Sequence, residues 1–168
     1  ERGILPGCGA QAAVIGACVD DVPKMAGKPY RPLLDETILR LKAEHPVFVG
    51  DRLDTDIMGA HNVGMDSLFV FTGAHGKRDL AAAESDSRPT HIAWDVAGLL
   101  APVRQAETRP DGSTCGIQSV VVSDGKARLD SKPTDRDEQL DALWAALQLA
   151  WEHEVDISDV LEELPDLP

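Results

Sequence analysis

The chain has 168 residues, about one domain's worth, with 43% hydrophobic and 27% charged residues, a balance that supports a buried core and excludes a disordered tail. Its 16 basic and 29 acidic residues give a net charge of −13, a field that repels nucleic-acid phosphates and anionic membrane surfaces. The longest apolar stretch, Ala12 to Val19, stops at Asp20-Asp21, well short of the roughly 20 residues that span a bilayer.

Gly7-Cys8-Gly9 opens a small-residue run, Ala10 to Val19, expected as a helix packed closely on a neighbour and broken by Asp20-Asp21-Val22-Pro23. Lys24-Met25-Ala26 is a short extended candidate that ends at Gly27-Lys28-Pro29. Leu33, Leu34, Ile38, Leu39 and Leu41 then give a one-sided helix. Val47-Phe48-Val49, between Pro46 and Gly50, reads as a buried strand, followed by a short helix over Thr55 to Asn62 with Gly64 at its C-cap. Ser67 to Phe71 is a second strand, and strand–helix–strand at this spacing predicts a βαβ unit in a parallel sheet. A helix near Lys77 to Glu84, a strand at His91 to Trp94, and a short helix capped by Asp95 continue the pattern.

From Ala101 the composition changes, and the polar, breaker-rich stretch Glu107 to Thr114 is expected to mark a boundary. Val120-Val121-Val122 and Lys126 to Leu129 flank Ser123-Asp124-Gly125, a hairpin signal. Thr134-Asp135-Arg136-Asp137 starts a helix that carries Leu140, Leu143, Trp144, Leu147, Ala150 and Trp151, with the two tryptophans expected as core or interface anchors. The acidic stretch Asp156 to Pro168 is expected to be loosely held. Cys8, Cys18 and Cys115 form neither a disulfide framework nor a C-x-x-C knuckle, and are expected as small apolar fillers in a reducing, cytoplasmic compartment. No secretory or transit segment is visible, which agrees with that placement.

The chemistry concentrates in Val49-Gly50-Asp51-Arg52-Leu53-Asp54-Thr55-Asp56, where three carboxylates follow a buried strand. Ligands of open α/β sheets bind at the carboxyl ends of strands. Crowded carboxylates repel unless a cation sits among them, and Mg²⁺, which takes a carboxylate or two with phosphate and water, suits such a place. A solvated acidic loop with Asp54 or Thr55 capping the next helix is an equal reading of the acids alone. Lys28 shifts the balance: if residues 24–27 form a strand, Lys28 and Asp51 emerge at the same end of neighbouring strands, where an ammonium group can hold a phosphoryl oxygen.

Gly27-Lys28-Pro29, followed by Val49-Gly50-Asp51-x-x-x-x-Asp56, resembles the third and fourth motifs of the haloacid-dehalogenase (HAD) superfamily, and more closely its class IIA phosphatases, the nitrophenylphosphatase and glycerol-phosphate phosphatase group. Leu5 to Gly9, Ala60 to Gly64 and Leu68 to Gly73 support the match. The resemblance covers roughly residues 1–100. It implies an α/β fold, a Rossmann-like parallel sheet forming the C-terminal part of a HAD core (residues 23–104). Residues 1–22 would be the end of a cap and the re-entry to the core. Residues 108–168 would be a small α+β extension with an acidic tail.

By the same resemblance, Lys28 binds phosphate, Asp51 is the Mg²⁺ ligand, and Asp56 orients Lys28 or a metal-bound water. Asp54 falls at a variable position. Arg52 has two roles open, substrate contact at the cap edge or an ordinary surface residue. The implied activity is Mg²⁺-dependent hydrolysis of a small phosphorylated metabolite, glycerol phosphate or similar.

The family's nucleophile lies in an Asp-x-Asp-Gly-Thr loop, which attacks phosphorus and forms an aspartyl-phosphate. Val122-Ser123-Asp124-Gly125-Lys126 is the nearest match here, with Val122 in the nucleophile's place, and it reads as a hairpin turn. The Thr/Ser-Asn second motif is absent as well. The expectation is therefore the C-terminal portion of a longer enzyme, inactive without its N-terminal half. Residues from about Thr108 resemble loosely the acetyltransferase-like region of actinobacterial glycerol-phosphate phosphatases, but show no glycine-rich pyrophosphate loop. A non-catalytic Mg²⁺- or phosphate-binding module is the alternative, a small acetyltransferase is a remote third reading, and a homo-oligomer is left open.

Overall fold

The fold, taken from a computed structural model, is described for residues 5–168. Val47–Gly50 (β1) and Asp66–Val70 (β2) are β-prone runs, uncharged but for Asp66 at the start of β2, and they pair in parallel with Val47 beside Asp66 and Gly50 beside Phe69. His91–Ala93 (β3) joins the far side of β2, so the sheet order is β1-β2-β3 with all strands parallel. β2 is buried on both faces, as a central parallel strand should be. Its alternation divides it: Leu68 and Val70 meet Val49 and Ala93 on one face, while Phe69 and Phe71 enter the main core on the other. Those two rings meet edge to face at 5.0 Å.

The β1–β2 crossover begins with a wide turn over Leu53–Ile57 and runs into the helix Met58–Val63 (α3), ended by Gly64 at φ 73°. Arg31–Leu41 (α2), with Pro32 in its first turn, precedes β1, and Lys77–Ala81 (α4) follows β2. Asp95 caps the tight turn Val96–Leu100 by accepting from the Ala97 amide at 2.8 Å.

Four antiparallel strands follow in the order β4-β5-β6-β7: Ala106–Arg109, Gly112–Cys115, Gln118–Ser123 and Lys126–Leu129. The stretch Glu107 to Thr114, expected as a boundary, forms the β4–β5 hairpin; its Pro110-Asp111 pair makes the turn rather than a linker. Asp124 and Gly125 both have positive φ, 53° and 77°, the combination that a two-residue hairpin loop requires.

The 18-residue helix Arg136–His153 (α5) lies across this sheet and also meets β3 and α4. It is consequently apolar nearly all round its middle, from Leu140 to Leu149. Its start is doubly fixed: Asp135 accepts from the Glu138 amide, and Glu138 reaches back to the Thr134 amide at 2.6 Å. Trp144 is buried and Trp151 half-buried, and their rings meet edge to face at 5.9 Å, an anchor worth roughly 1 kcal/mol beyond its buried area. Trp94 ties the two sheets' surroundings together, donating to the Arg136 carbonyl at 3.0 Å while the Arg136 guanidinium lies 3.8 Å over its ring.

Four expectations are corrected. The helix Cys8–Gly16 (α1) forms but buries none of its residues, and Val14 and Ile15 are exposed. Residues 24–26 are not a strand: they have no ladder partner among the described residues, and β1 is itself an edge. The acidic tail is not loose. Ser158–Glu162 (α6) and the turn after it bury Val160, Leu161, Leu164 and Leu167 at helix-like spacing while the acids face out. The cysteines also divide, with Cys115 buried and Cys8 and Cys18 exposed.

Cys115 sits close to Asp141, and burial, followed by that negative charge, pushes its thiol up to about 12. A thiolate is the reactive form, so the native chain at pH 8 should show two thiols reacting readily with a disulfide reagent and a third only in denaturant. Three equally fast thiols in the native chain would contradict this packing.

Candidate active site at the carboxyl end of β1

Gly50 ends β1 because nothing larger fits: a Cβ there would overlap the Asp56 side chain folded beneath it. The chain leaves the strand through Asp51 and Arg52, then curls so tightly that the amides of both Asp56 and Ile57 donate to the Arg52 carbonyl, at 2.9 and 3.1 Å. This wide turn brings Asp56, five residues on from Asp51, back under the strand end. There Asp56 is 4% exposed and accepts from the Arg52 amide at 3.2 Å and from Lys28 Nζ at 2.5 Å.

Lys28 comes from the turn before α2, closed by the Tyr30 amide donating to the Gly27 carbonyl at 3.0 Å. Asn62 on α3 donates to the Pro29 carbonyl at 2.9 Å, and Arg31 donates to the Asn62 carbonyl, so the turn is latched onto the crossover helix. The Lys28 ammonium also lies 5.4 Å over the Phe48 ring. With 39% of its side chain still exposed, it is anchored at one side and open at the other.

Asp51 is held differently. Its Oδ2 accepts from the Ala74 amide at 2.7 Å, and its carbonyl accepts from the His75 amide at 3.3 Å. The approach of the loop after β2 is so close that a Cβ on Gly73 would collide with the Asp51 carboxylate. His75 returns the contact, its Nδ1 accepting from the Leu53 amide at 2.9 Å. No cation among the described residues pairs with Asp51, in contrast to Asp54 and Asp56.

Arg52 and Asp54 grip each other through two hydrogen bonds of 3.1 and 2.7 Å on the surface. The hydrogen bond first, then the charge, holds Asp54 below the usual carboxylate range and raises Arg52. The structure thus brings Lys28, Asp56 and Asp51 to one strand end and turns Arg52 toward its own loop. Sequence reasoning missed Asn62, Ala74 and His75. Two of them act through backbone groups or a single latch, which leave no residue-type signature.

A cleft of about 470 Å³ at the junction of Trp94, Arg104, Cys115 and Asp141 contains neither Lys28 nor Asp51. Lys28 instead borders an apolar groove of about 320 Å³ with Leu33, Ile38, Val47 and Phe48, along the side of β1 that has no strand neighbour among the described residues. The end of β1 is thus walled by the loop after β2 on one side and bordered by this groove on the other.

Residues 25–99 match the HAD-hydrolase-like family. This segment belongs to the HAD-like hydrolases. Similar proteins include D-glycerol 3-phosphate phosphatase of Mycobacterium tuberculosis, 42% identical over 99 residues, which are 59% of this chain and 28% of that protein. Acid sugar phosphatase of Staphylococcus haemolyticus is 40% identical over 98 residues, 57% of this chain and 36% of that one. Among solved structures, glycerol phosphate phosphatase from M. tuberculosis in complex with magnesium superposes with a TM-score of 0.67 at 34% identity, over 90% of this chain and 45% of that chain. The same enzyme with calcium gives 0.70 at 30% identity, over 98% and 49%. The chain therefore spans less than half the length of these relatives, and the likeness to the solved structures extends into the antiparallel sheet and α5. No helix among the described residues is long and apolar enough to cross a membrane.

Proposed function

We propose that this chain supplies the metal and phosphate side of a Mg²⁺-dependent phosphomonoesterase acting on a small phosphorylated metabolite, glycerol phosphate being the substrate that its named relatives suggest. The observation that carries the reading is the Lys28–Asp56 ion pair of 2.5 Å, tied through Asp56 to the amide of Arg52, the residue after Asp51, at the carboxyl end of a parallel strand. Asp56 holds the ammonium group in place, and the exposed side of Lys28 takes a phosphoryl oxygen. Asp51, unpaired by any described cation and steadied on one oxygen by the Ala74 amide, is the metal ligand.

The donor set fits Mg²⁺. No three His, Cys, Asp or Glu side chains cluster on a metal-sized space among the described residues. Mg²⁺ takes only one or two protein carboxylates, with water and substrate phosphate completing its shell. When bound it draws charge from the phosphoryl oxygens. These 168 residues contain no Asp-x-Asp-Gly-Thr stretch, so the attacking carboxylate is assigned to a complementing N-terminal half seated along the open side of β1. The chain alone is then inactive, with residues 1–22 leading into a core over 23–104, an extension over 108–168, and a cytoplasmic setting.

Calorimetric titration of the chain with inorganic phosphate in Mg²⁺ checks this. Binding should weaken at least about tenfold in Lys28→Met, the loss of one charge-assisted hydrogen bond. Equal phosphate affinity in parent and variant would remove Lys28 from the site.

A further inference from the structure

The loop that holds Asp51 is gripped from its other side by residues 164–168. Gly73, Ala74 and His75 face Asp51 and Leu53, while the next two residues, Gly76 and Lys77, face the tail. The Lys77 amide donates to the Pro168 carbonyl at 2.6 Å, and Lys77 Nζ donates to the Leu164 carbonyl at 2.5 Å. The fit against Gly76 is close enough that a Cβ there would overlap the Pro168 carbonyl.

The tail is itself fixed to the main core. Leu164 and Leu167 are fully buried, and Asp166 exchanges two hydrogen bonds with the buried Gln139 of α5, at 2.7 and 3.1 Å. A continuous set of contacts therefore runs from α5 through residues 164–168 and the Gly76-Lys77 step to the Ala74 amide on Asp51. A five-residue loop pinned at both ends has few ways to move the amide between them.

We propose that residues 164–168 are a positioning strap for Asp51: they fix Gly76 and Lys77, and so keep the Ala74 amide on the carboxylate that binds the metal. The strap touches none of the reacting groups and acts only through the loop. It rests on the reading of Asp51 as metal ligand for its consequence, though not for the mechanical coupling. In this arrangement the acidic C-terminal region contributes to the phosphatase site of the other sheet.

The test uses the whole chain and Lys77→Pro. Proline suits the first position of a helix, and it removes both the amide and the ammonium that bond the strap while leaving Leu164 and Leu167 in place. Hydrogen exchange at the Ala74 and His75 amides should quicken about tenfold or more, with Leu143 and Leu147 in α5 unchanged. Mg²⁺ titration, followed by the Asp51 and Ala74 amide shifts, should show affinity reduced by about tenfold, within the range seen when groups supporting a metal ligand are removed.

Unchanged exchange at Ala74 overturns the strap. Faster exchange with undiminished Mg²⁺ affinity overturns its role in positioning the ligand. If the parent chain shows no Mg²⁺ response, the metal reading fails by itself and the exchange result still decides the coupling. Should Lys77→Pro lose protection at Leu143, marking general unfolding, Lys77→Met removes the ammonium bond to the Leu164 carbonyl while leaving the backbone and the buried tail leucines in place, and is read by the same criteria.

Discussion

Asp51→Asn, in a protein that joins this chain to a nucleophile-bearing half, is expected to lower kcat for nitrophenyl phosphate in Mg²⁺ by about 10³-fold, the scale of losing charge stabilisation at the reacting phosphoryl group. The fold should be nearly indifferent. Asparagine keeps an oxygen for the Ala74 amide and adds no bulk beside Gly73, so the urea midpoint should move by less than about 0.5 kcal/mol equivalent. That separation of rate from stability distinguishes a metal ligand from a structural acid. Wild-type turnover in the variant would place the metal elsewhere.

Asp56→Ala is expected to do the opposite in part, damaging the fold as well as the rate. Asp56 is nearly fully buried, and its removal leaves the Arg52 amide without its side-chain acceptor and Lys28 without its anchor. Breaking such a pair from one side should cost about 2–4 kcal/mol, toward the lower end because Lys28 remains partly solvated. Turnover in the joined protein should fall about 10²-fold through loss of positioning. Asp54→Ala is the contrast, because its partner Arg52 and Asp54 itself are about half exposed. An exposed pair of this kind contributes less than about 1 kcal/mol. Denaturant unfolding of the two variants side by side reads the difference, and equal costs would contradict the burial assigned to Asp56.

Much of the site was legible because its residues are typed by chemistry. Asp51 and Asp56 follow a β-prone run that does form a strand, though an edge strand exposed at Val47 and half-buried beyond it rather than buried as expected, and the five-residue step between them matches the wide turn that folds Asp56 back under Gly50. Lys28 was legible as a charge, but not its route. Lys24-Met25-Ala26 reads as extended, and extended residues become a strand only beside a partner, which β1 does not provide on that side among the described residues.

The remaining misses have the same kind of cause. Asp51 is steadied by the backbone of Ala74 and His75, and an amide proton has no sequence signature. In the tail, five acids from Asp156 to Asp166 obscured the spacing of Val160, Leu161, Leu164 and Leu167, which is that of a buried helical face. The run around α1 failed in the reverse sense: its apolarity predicted packing, yet α1 buries none of its residues. The Arg109-Pro110-Asp111-Gly112 breakers signalled a turn within a sheet as well as they signalled a boundary.

The central claim is that Asp51 and the Lys28–Asp56 pair serve one metal–phosphate group at the carboxyl end of β1. Replacing Mg²⁺ by paramagnetic Mn²⁺, with phosphate present, and reading the broadening of amide signals across the chain tests it directly. The account predicts that Asp51, Ala74 and His75 broaden first, Lys28 next and only when phosphate is added to order its side chain, with β4 to β7 unaffected. Broadening centred on the acidic residues of the tail or of the Arg104–Asp141 cleft, with Asp51 and Ala74 sharp, would contradict it.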